Sequence, residues 1–158
     1  VSLPAEVVDL LRGRGETVAT AESLTAGMVT AALTSVAGSS AVVRGGLVVY
    51  ATDLKHSLAG VDADLLAEHG AVHPEVARQL AEGARTRCGA TWGLGLTGVA
   101  GPSAQDGVEP GTVHIGLSGP GVLTTRLITV GGDRHEVRVA SVDTALALLR
   151  DHLNTTRG

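Results

Sequence analysis

From Trp92 to Leu96 the chain alternates a large apolar residue with glycine: Trp92, Gly93, Leu94, Gly95, Leu96. A period of two is the side-chain period of a β-strand. One face of this strand is wholly apolar and the other carries no side chains. Glycine weakens a strand interior unless another backbone or a ligand comes close to it. The pattern therefore asks for a helix or a ligand pressed onto that bare face. Phe is absent, and Trp92 and Tyr50 are the only aromatic residues, so a core must be built from Val, Leu, Ala and Ile. With 158 residues, 44% of them hydrophobic, the chain suits one soluble domain over 1–158 with a real core.

The remaining elements fall in a simple order. A helix over Pro4 to about Arg12 follows a capping Ser2 and stops at Gly13 and Gly15. Thr17–Thr20 reads as a strand, and Ala21–Thr25 turns into a helix that runs through Leu33. Gly46–Ala51 is an apolar run suited to a buried strand. Short helices capped by Asp53 and Asp62 end at Gly60 and Gly70, and a longer helix runs from Pro74 to about Arg87. After the glycine-alternating strand, Val113–Leu117 and Val122–Val130 pair as a hairpin around Gly119-Pro120-Gly121. Asp133 and Glu136 have capping-box spacing for a last helix to about His152, with a frayed tail from Asn154. The order α-β-α-β-α-α-α-β-β-β-α predicts an α/β fold, a three-layer α/β/α sandwich with a mixed, mostly parallel sheet. The stretch Ser103–Gly111 is long for a connection in a compact domain, as functional loops often are.

Ligands of open α/β sheets collect beyond the carboxyl ends of the strands. Three groups fall there: Ser23 and Thr25, then Tyr50 with Lys55, then Thr97 with Gly98. Tyr50 is the only tyrosine and Lys55 the only lysine, and Ser39 and Ser40 lie shortly before them. A serine needs a neighbouring base to act as a nucleophile. A lysine whose pKa is lowered by burial can be that base, and a phenol can relay the proton. The same residues also fit a plainer reading, in which Tyr50 ends a buried strand and Lys55 is solvated. Ser23 or Thr25 can bind an anion at a helix N-terminus or simply cap it. Arg134, in the first turn of the last helix, gains nothing from the helix dipole. An anionic ligand would explain it, and so would surface exposure.

Other chemistries find little support. The formal net charge is −4, no basic run occurs and aromatic residues are nearly missing, which disfavours nucleic acid. No apolar run approaches the length of a membrane span, and no signal peptide is recognisable, so the cytoplasm is expected. The single Cys88 forms no internal disulfide and reads as a small buried residue. His69 and His73 are four apart, but Gly70 breaks the helix that such metal spacing needs, and no metal or cofactor is expected. Thr52-Asp53-Leu54-Lys55 resembles an S-x-x-K motif with Thr in the serine position, a coincidence. G-x-S-x-G, phosphate-loop and G-x-G-x-x-G patterns are missing.

Thr20–Gly27, Ala37–Ser40, Gly45–Tyr50, Lys55, Gly70–Val72, Thr97–Pro102, Pro110–Val113 and Gly132–Arg134 together resemble the CinA C-terminal domain family, in the same order over nearly the whole chain. The family includes nicotinamide-nucleotide amidases of the PncC type. The resemblance implies hydrolysis of nicotinamide mononucleotide (NMN) to nicotinate mononucleotide and ammonia by a metal-free Ser/Lys mechanism, in a homodimer. The expected catalytic residues are Ser40, Lys55 and Tyr50, with Ser23, Thr25, Gly46, Thr97, Gly98 and Arg134 binding substrate. Ala26 departs from a glycine often seen in the first motif, and His73 from a small capping residue. An inactive nucleotide-binding module acting through a partner is the alternative.

One conflict is already visible. A straight strand from Ser40 to Tyr50 would separate them by roughly 33 Å at about 3.3 Å per residue. The chain must fold back near Gly45-Gly46, or Ser40 must reach the Lys55 of a second subunit. Otherwise Ser23 is the nucleophile.

Overall fold

The computed structural model describes residues 1–155. Its elements are α1 (Leu3–Arg14), β1 (Val18–Glu22), α2 (Met28–Thr34), a 3-10 turn (Ser39–Ala41), β2 (Val43–Val48), α3 (Thr52–Ala59), α4 (Ala63–His69), α5 (Pro74–Cys88), β3 (Trp92–Gly98), β4 (Thr112–Gly119), β5 (Val122–Thr129) and α6 (Arg134–Thr155). The strands form one sheet in the order β2-β1-β3-β4-β5. β1 is parallel to both β2 and β3, while β4 is antiparallel to β3 and to β5. Only β4 thus runs against the other four, and the expected mixed α/β sandwich is what forms.

Two apolar layers cover the sheet. On one side Trp92, Leu94 and Leu96 pack with Val7, Leu11, Val29, Leu33, Val137, Leu146 and Leu149, from α1, α2 and α6. On the other, Ala19 and Ala21 pack with Val49, Val61, Leu66, Val76, Leu80 and Ala84, toward α3, α4 and α5. The bare face of β3 belongs to α5. A Cβ on Gly93 would lie 2.1 Å from the Ala81 carbonyl oxygen, and one on Gly95 2.5 Å from both Ala77 O and Ala81 N. Gly116 of β4 extends the same groove, its would-be Cβ standing 2.2 Å from Ala77 O. Of the two occupants the sequence allowed for that face, the helix is the one present.

Local signals account for most boundaries. Ser2 Oγ accepts from Ala5 N at 3.3 Å, and Gly15 closes α1 in the left-handed region. His73 supplies the capping acceptor of α5, its Nδ1 receiving Glu75 N–H at 3.1 Å. Asp133 and Glu136 cap each other reciprocally at 3.1 and 2.9 Å. Several boundaries differ from expectation. β2 lies earlier, over Val43–Val48, because that is the run that pairs with β1 from Val18 to Glu22. α2 starts only at Met28, since residues 23–27 form a tight turn with positive φ at Ala26 and Gly27. The last helix continues through Asn154 and Thr155, where a frayed tail was expected. The rest of that tail, 156–158, lies outside the described residues.

Because α5 sits where a Cβ of β3 would be, Gly95→Ala should overpack the sheet and cost about 2 kcal/mol. Gly13→Ala in α1, with nothing within 4 Å of the new methyl, should stabilise by about 0.5–1 kcal/mol. Urea unfolding of the two variants checks both signs.

Candidate active site

Parallel β1, β2 and β3 end at one edge of the sheet, and the three chain segments that leave them form the site. β1 passes directly into Ser23, whose N–H still bonds Leu96 O of β3 at 3.1 Å. β2 passes through Val49 and Tyr50 into α3, which carries Lys55 one turn inside the protein. β3 ends at Gly98 and opens into the loop 99–111.

Lys55 is buried, with 1% of its surface exposed. Its Nζ donates to Ser23 Oγ at 2.9 Å, to Val49 O at 2.9 Å and to Tyr50 O at 3.1 Å. An ammonium has three protons, and here each has an acceptor. Two of those acceptors are carbonyls, which can only accept. The third is a hydroxyl, which can reverse its role and donate to the lone pair of a neutral amine. Burial lowers the pKa of the amine from the ordinary 10.5 to about 8. At neutral pH on the order of a tenth of the molecules then hold Lys55 as an amine hydrogen-bonded to a serine hydroxyl, the geometry of general-base activation.

Ser23 opens onto a cleft of about 560 Å³. Leu24, Tyr50, Gly98, the loop to Gln105 and Arg134 form its walls. Arg134 is the one charged side chain among the residues described as lining it, and no carboxylate is among them. Its Nη1 donates to Gly101 O at 2.8 Å and its Nη2 to Tyr50 Oη at 3.2 Å. One turn along α6, Arg138 Nε donates to Leu24 O at 2.9 Å. Two arginines one turn apart on α6 thus bond cleft-lining segments, Arg134 at Gly101 and Tyr50 and Arg138 at Leu24. Among the described residues the non-glycine positions with positive φ are Ala26 at 49° and Asp106 at 50°, which follow the cleft-lining residues Leu24 and Gln105 in sequence. The left-handed conformation at Ala26 is one that glycine would adopt without a Cβ penalty.

The expected site residues divide. Ser23, Tyr50, Lys55, Gly98 and Arg134 gather at this edge. Ser40 does not. It is exposed on the 3-10 turn before β2, and Val43 pairs with Val18 at the start of β1 while Val48 pairs with Glu22 at its end. The six-residue β2 therefore places Ser40 about 20 Å along the sheet from the Lys55 edge of its own chain. The chain does not fold back at Gly45-Gly46, because both glycines are paired within the strand. The Tyr50 phenol contacts Arg134, and it is the backbone carbonyl of Tyr50 that meets Lys55.

Thr25, Thr97 and Gly46 are not among the residues described as lining the cleft. Thr25 is fully buried and its hydroxyl donates to Glu22 at 2.7 Å. The buried Thr97 hydroxyl donates to Ala71 O at 2.7 Å. Gly46 leaves room for the hydroxyls of Thr20 and Thr30, each 2.5 Å from where its Cβ would stand. These residues shape the site from behind rather than lining it. The start of α2 is not open to an external anion either, since Glu22 accepts the N–H groups of Val29 and Thr30. Glu22 and Arg138 were not singled out from sequence. An acidic residue closing a buried strand marks the first, and four-residue spacing from Arg134 marks the second. His69 and His73 stack at 4.6 Å between ring centroids, and no group of three potential metal ligands comes together among the described residues.

The model of the CinA C-terminal domain matches residues 1–153. The chain belongs to the CinA C-terminal domain family. It is 49% identical to a CinA-like protein of Frankia casuarinae over 149 residues, 94% of this chain and 34% of that protein. A CinA-like protein of Anaeromyxobacter dehalogenans is 52% identical over 149 residues, 94% of this chain and 36% of its own length. The chain thus spans about a third of the curated relatives it matches. Among solved structures, a CinA superfamily protein of Klebsiella pneumoniae superposes with a TM-score of 0.93 at 32% identity, covering 98% of this chain and 97% of that one. A competence/damage-inducible protein of Agrobacterium tumefaciens gives 0.92 at 36% identity, covering 97% and 94%.

A single lysine makes the titration directly observable. In protein carrying 13C-lysine, the Lys55 Cε resonance should titrate with a midpoint near 8; a midpoint near the ordinary 10.5 would contradict the buried amine. Between those values the folded chain has released a proton that the unfolded chain keeps. The contribution of Lys55 to stability should therefore rise with pH through that window.

Proposed function

We propose that this domain is a serine amidohydrolase of the nicotinamide-nucleotide amidase type, with Ser23 as nucleophile and Lys55 as general base. The observation that carries the reading is the 2.9 Å contact between Lys55 Nζ and Ser23 Oγ at the floor of a cleft whose charged liner is Arg134. Ser23 Oγ attacks the carboxamide carbon of NMN while its proton passes to Lys55. The oxyanion is met by backbone N–H groups of the cleft wall, Leu24 directly after the nucleophile being the first candidate, an effect worth roughly 3–4 kcal/mol per donor. The Lys55 ammonium returns its proton to the departing nitrogen, ammonia leaves, and an ester to Ser23 remains. Water then attacks the ester and gives its proton to Lys55. The ester C–O bond breaks, and Ser23 recovers its proton as nicotinate mononucleotide is released.

Arg134 supplies the phosphate contact. Two of its N–H groups hold Gly101 and Tyr50, and the planar fork retains donors for an anion. The Tyr50 ring, 60% exposed beside the cleft, offers a π face to the pyridinium of the substrate. Thr25, Thr97 and Gly46 act through the backbone they support. Family resemblance further implies a cytoplasmic homodimer.

Ammonia release from NMN, with nicotinamide as a control, tests the reading. Ser23→Ala and Lys55→Ala should each lower kcat by about three orders of magnitude or more, and Arg134→Ala should raise KM about tenfold. For the parent, kcat/KM should rise with pH to a plateau beyond about 8, the pKa of Lys55. Ser40→Ala should retain the parent rate; its loss of activity would instead place the nucleophile on a second copy of the chain. NMN binding without turnover would favour the nucleotide-binding module.

A further inference from the structure

Glu22 immediately precedes the nucleophile and is completely buried. Its Oε1 accepts Thr25 Oγ1–H at 2.7 Å and Val29 N–H at 2.9 Å. Its Oε2 accepts Thr30 N–H at 3.1 Å and Thr30 Oγ1–H at 2.8 Å. Thr20 Oγ1 stands 3.3 Å from Oε2 and 2.7 Å from Thr30 Oγ1, its one proton shared between them. The backbone carbonyl of Glu22 meanwhile accepts Val49 N–H at 2.9 Å. A buried carboxylate costs free energy unless its oxygens are filled by donors, and here the donors come from both sides of the turn that carries Ser23. β1 enters that turn and α2 leaves it. Glu22 joins the two ends, and its carbonyl binds the segment whose next carbonyls hold Lys55.

We propose that Glu22 is a positioning residue, its carboxylate clamping the start of α2 to the end of β1 so that the intervening turn holds Ser23 Oγ against the Lys55 amine. The inference rests on the Ser23/Lys55 reading above. The clamp acts through geometry: among the described hydrogen bonds the Glu22 carboxylate reaches Thr20, Thr25, Val29 and Thr30, the Lys55 amine reaches Ser23, Val49 and Tyr50, and none joins the two side chains. Gly46 belongs to the same device, since any larger residue there would enter the space of the Thr20 and Thr30 hydroxyls.

The test uses Glu22→Gln in the full chain. Glutamine keeps the shape but turns one acceptor oxygen into an NH2 group facing O–H and N–H donors. The readout is the rate at which a small sulfonyl fluoride labels Ser23, followed by mass spectrometry across pH, beside calorimetric binding of NMN to the unlabelled protein. Misplacement of a nucleophile by a fraction of an ångström lowers reactivity strongly, so labelling should fall at least about tenfold. The pH midpoint of labelling should stay where the parent has it, and NMN affinity should stay within about threefold, because Arg134 is untouched. Labelling at the parent rate would overturn the proposal. So would a shifted midpoint, which would mean that Glu22 acts on Lys55 by charge, or a parallel loss of binding, which would mean a general structural role.

If Glu22→Gln does not fold, Thr25→Val and Thr30→Val each remove one hydroxyl donor. Reduced labelling with binding kept supports the clamp, and parent-like labelling in both overturns it. A parent whose Ser23 resists the reagent overturns this proposal and the serine mechanism together. A parent that is labelled but releases no ammonia from NMN overturns the substrate assignment alone and leaves the clamp to be decided by the labelling rates.

Discussion

A lysine amine buried against a serine hydroxyl is the constraint around which this sheet edge is arranged. An ammonium removed from water without a carboxylate partner is expensive, and lowering its pKa from 10.5 to about 8 corresponds to something on the order of 3 kcal/mol against the charged form. The fold offsets part of that cost with two carbonyls and one hydroxyl. Both carbonyls come from the link between β2 and α3, which must turn sharply and so cannot spend them on a strand ladder. The third acceptor comes from the neighbouring parallel strand. The amine therefore reports whether β1, β2 and α3 are assembled, and the same assembly brings a hydroxyl and an amine together across 32 positions of sequence.

Two buried charged side chains thus flank Ser23, and they are satisfied in opposite ways. Glu22 is surrounded by donors that lock it. Lys55 is surrounded by acceptors, one of which can exchange roles with it. In the first arrangement the carboxylate only accepts. The second has two patterns of protons, and the difference between them is the transfer of one proton between nitrogen and oxygen. In the proposed mechanism the first would hold the turn and the second would move the proton.

Most of the fold was legible because its signals are local. Periodicity placed β3, β4 and α5, the Asp133–Glu136 box placed α6, and the bare face of Gly93 and Gly95 announced a close neighbour without saying which. The start of α2 was not legible, since the turn at 23–27 depends on Glu22 reaching forward to Val29 and Thr30, a contact that no propensity encodes. The site was legible as a set of residue types at one sheet edge. Its pairing was not, because closeness in sequence drew Ser40 toward Tyr50 and Lys55, whereas β2 carries Ser40 to the far end of the sheet. Strand length alone contained the objection, at about 3.3 Å per residue. What sequence could not supply was that β1 is the strand beside β2, which puts Ser23 at the amine. The orientation of Thr25 and Thr97 was illegible for a related reason: hydroxyls at a sheet edge can face a cleft or the scaffold, and here packing turns them to Glu22 and to Ala71 O.

The absence of acidic side chains among the residues described as lining the cleft follows from the chemistry proposed for it. A carboxylate paired directly with Lys55 would favour the ammonium, the form that cannot accept the proton of Ser23. A phosphorylated substrate poses the same problem, because it carries negative charge into the cleft and would raise the pKa of the base as it binds. Arg134 answers this by its position. Anchored on Gly101 O and Tyr50 Oη at the cleft wall, it can neutralise the phosphate where it lands, apart from the floor where Ser23 meets Lys55. In the proposed reaction one guanidinium would serve affinity and basicity together: it would hold the anion and keep the charge of that anion from switching off the amine at the other end of the same molecule.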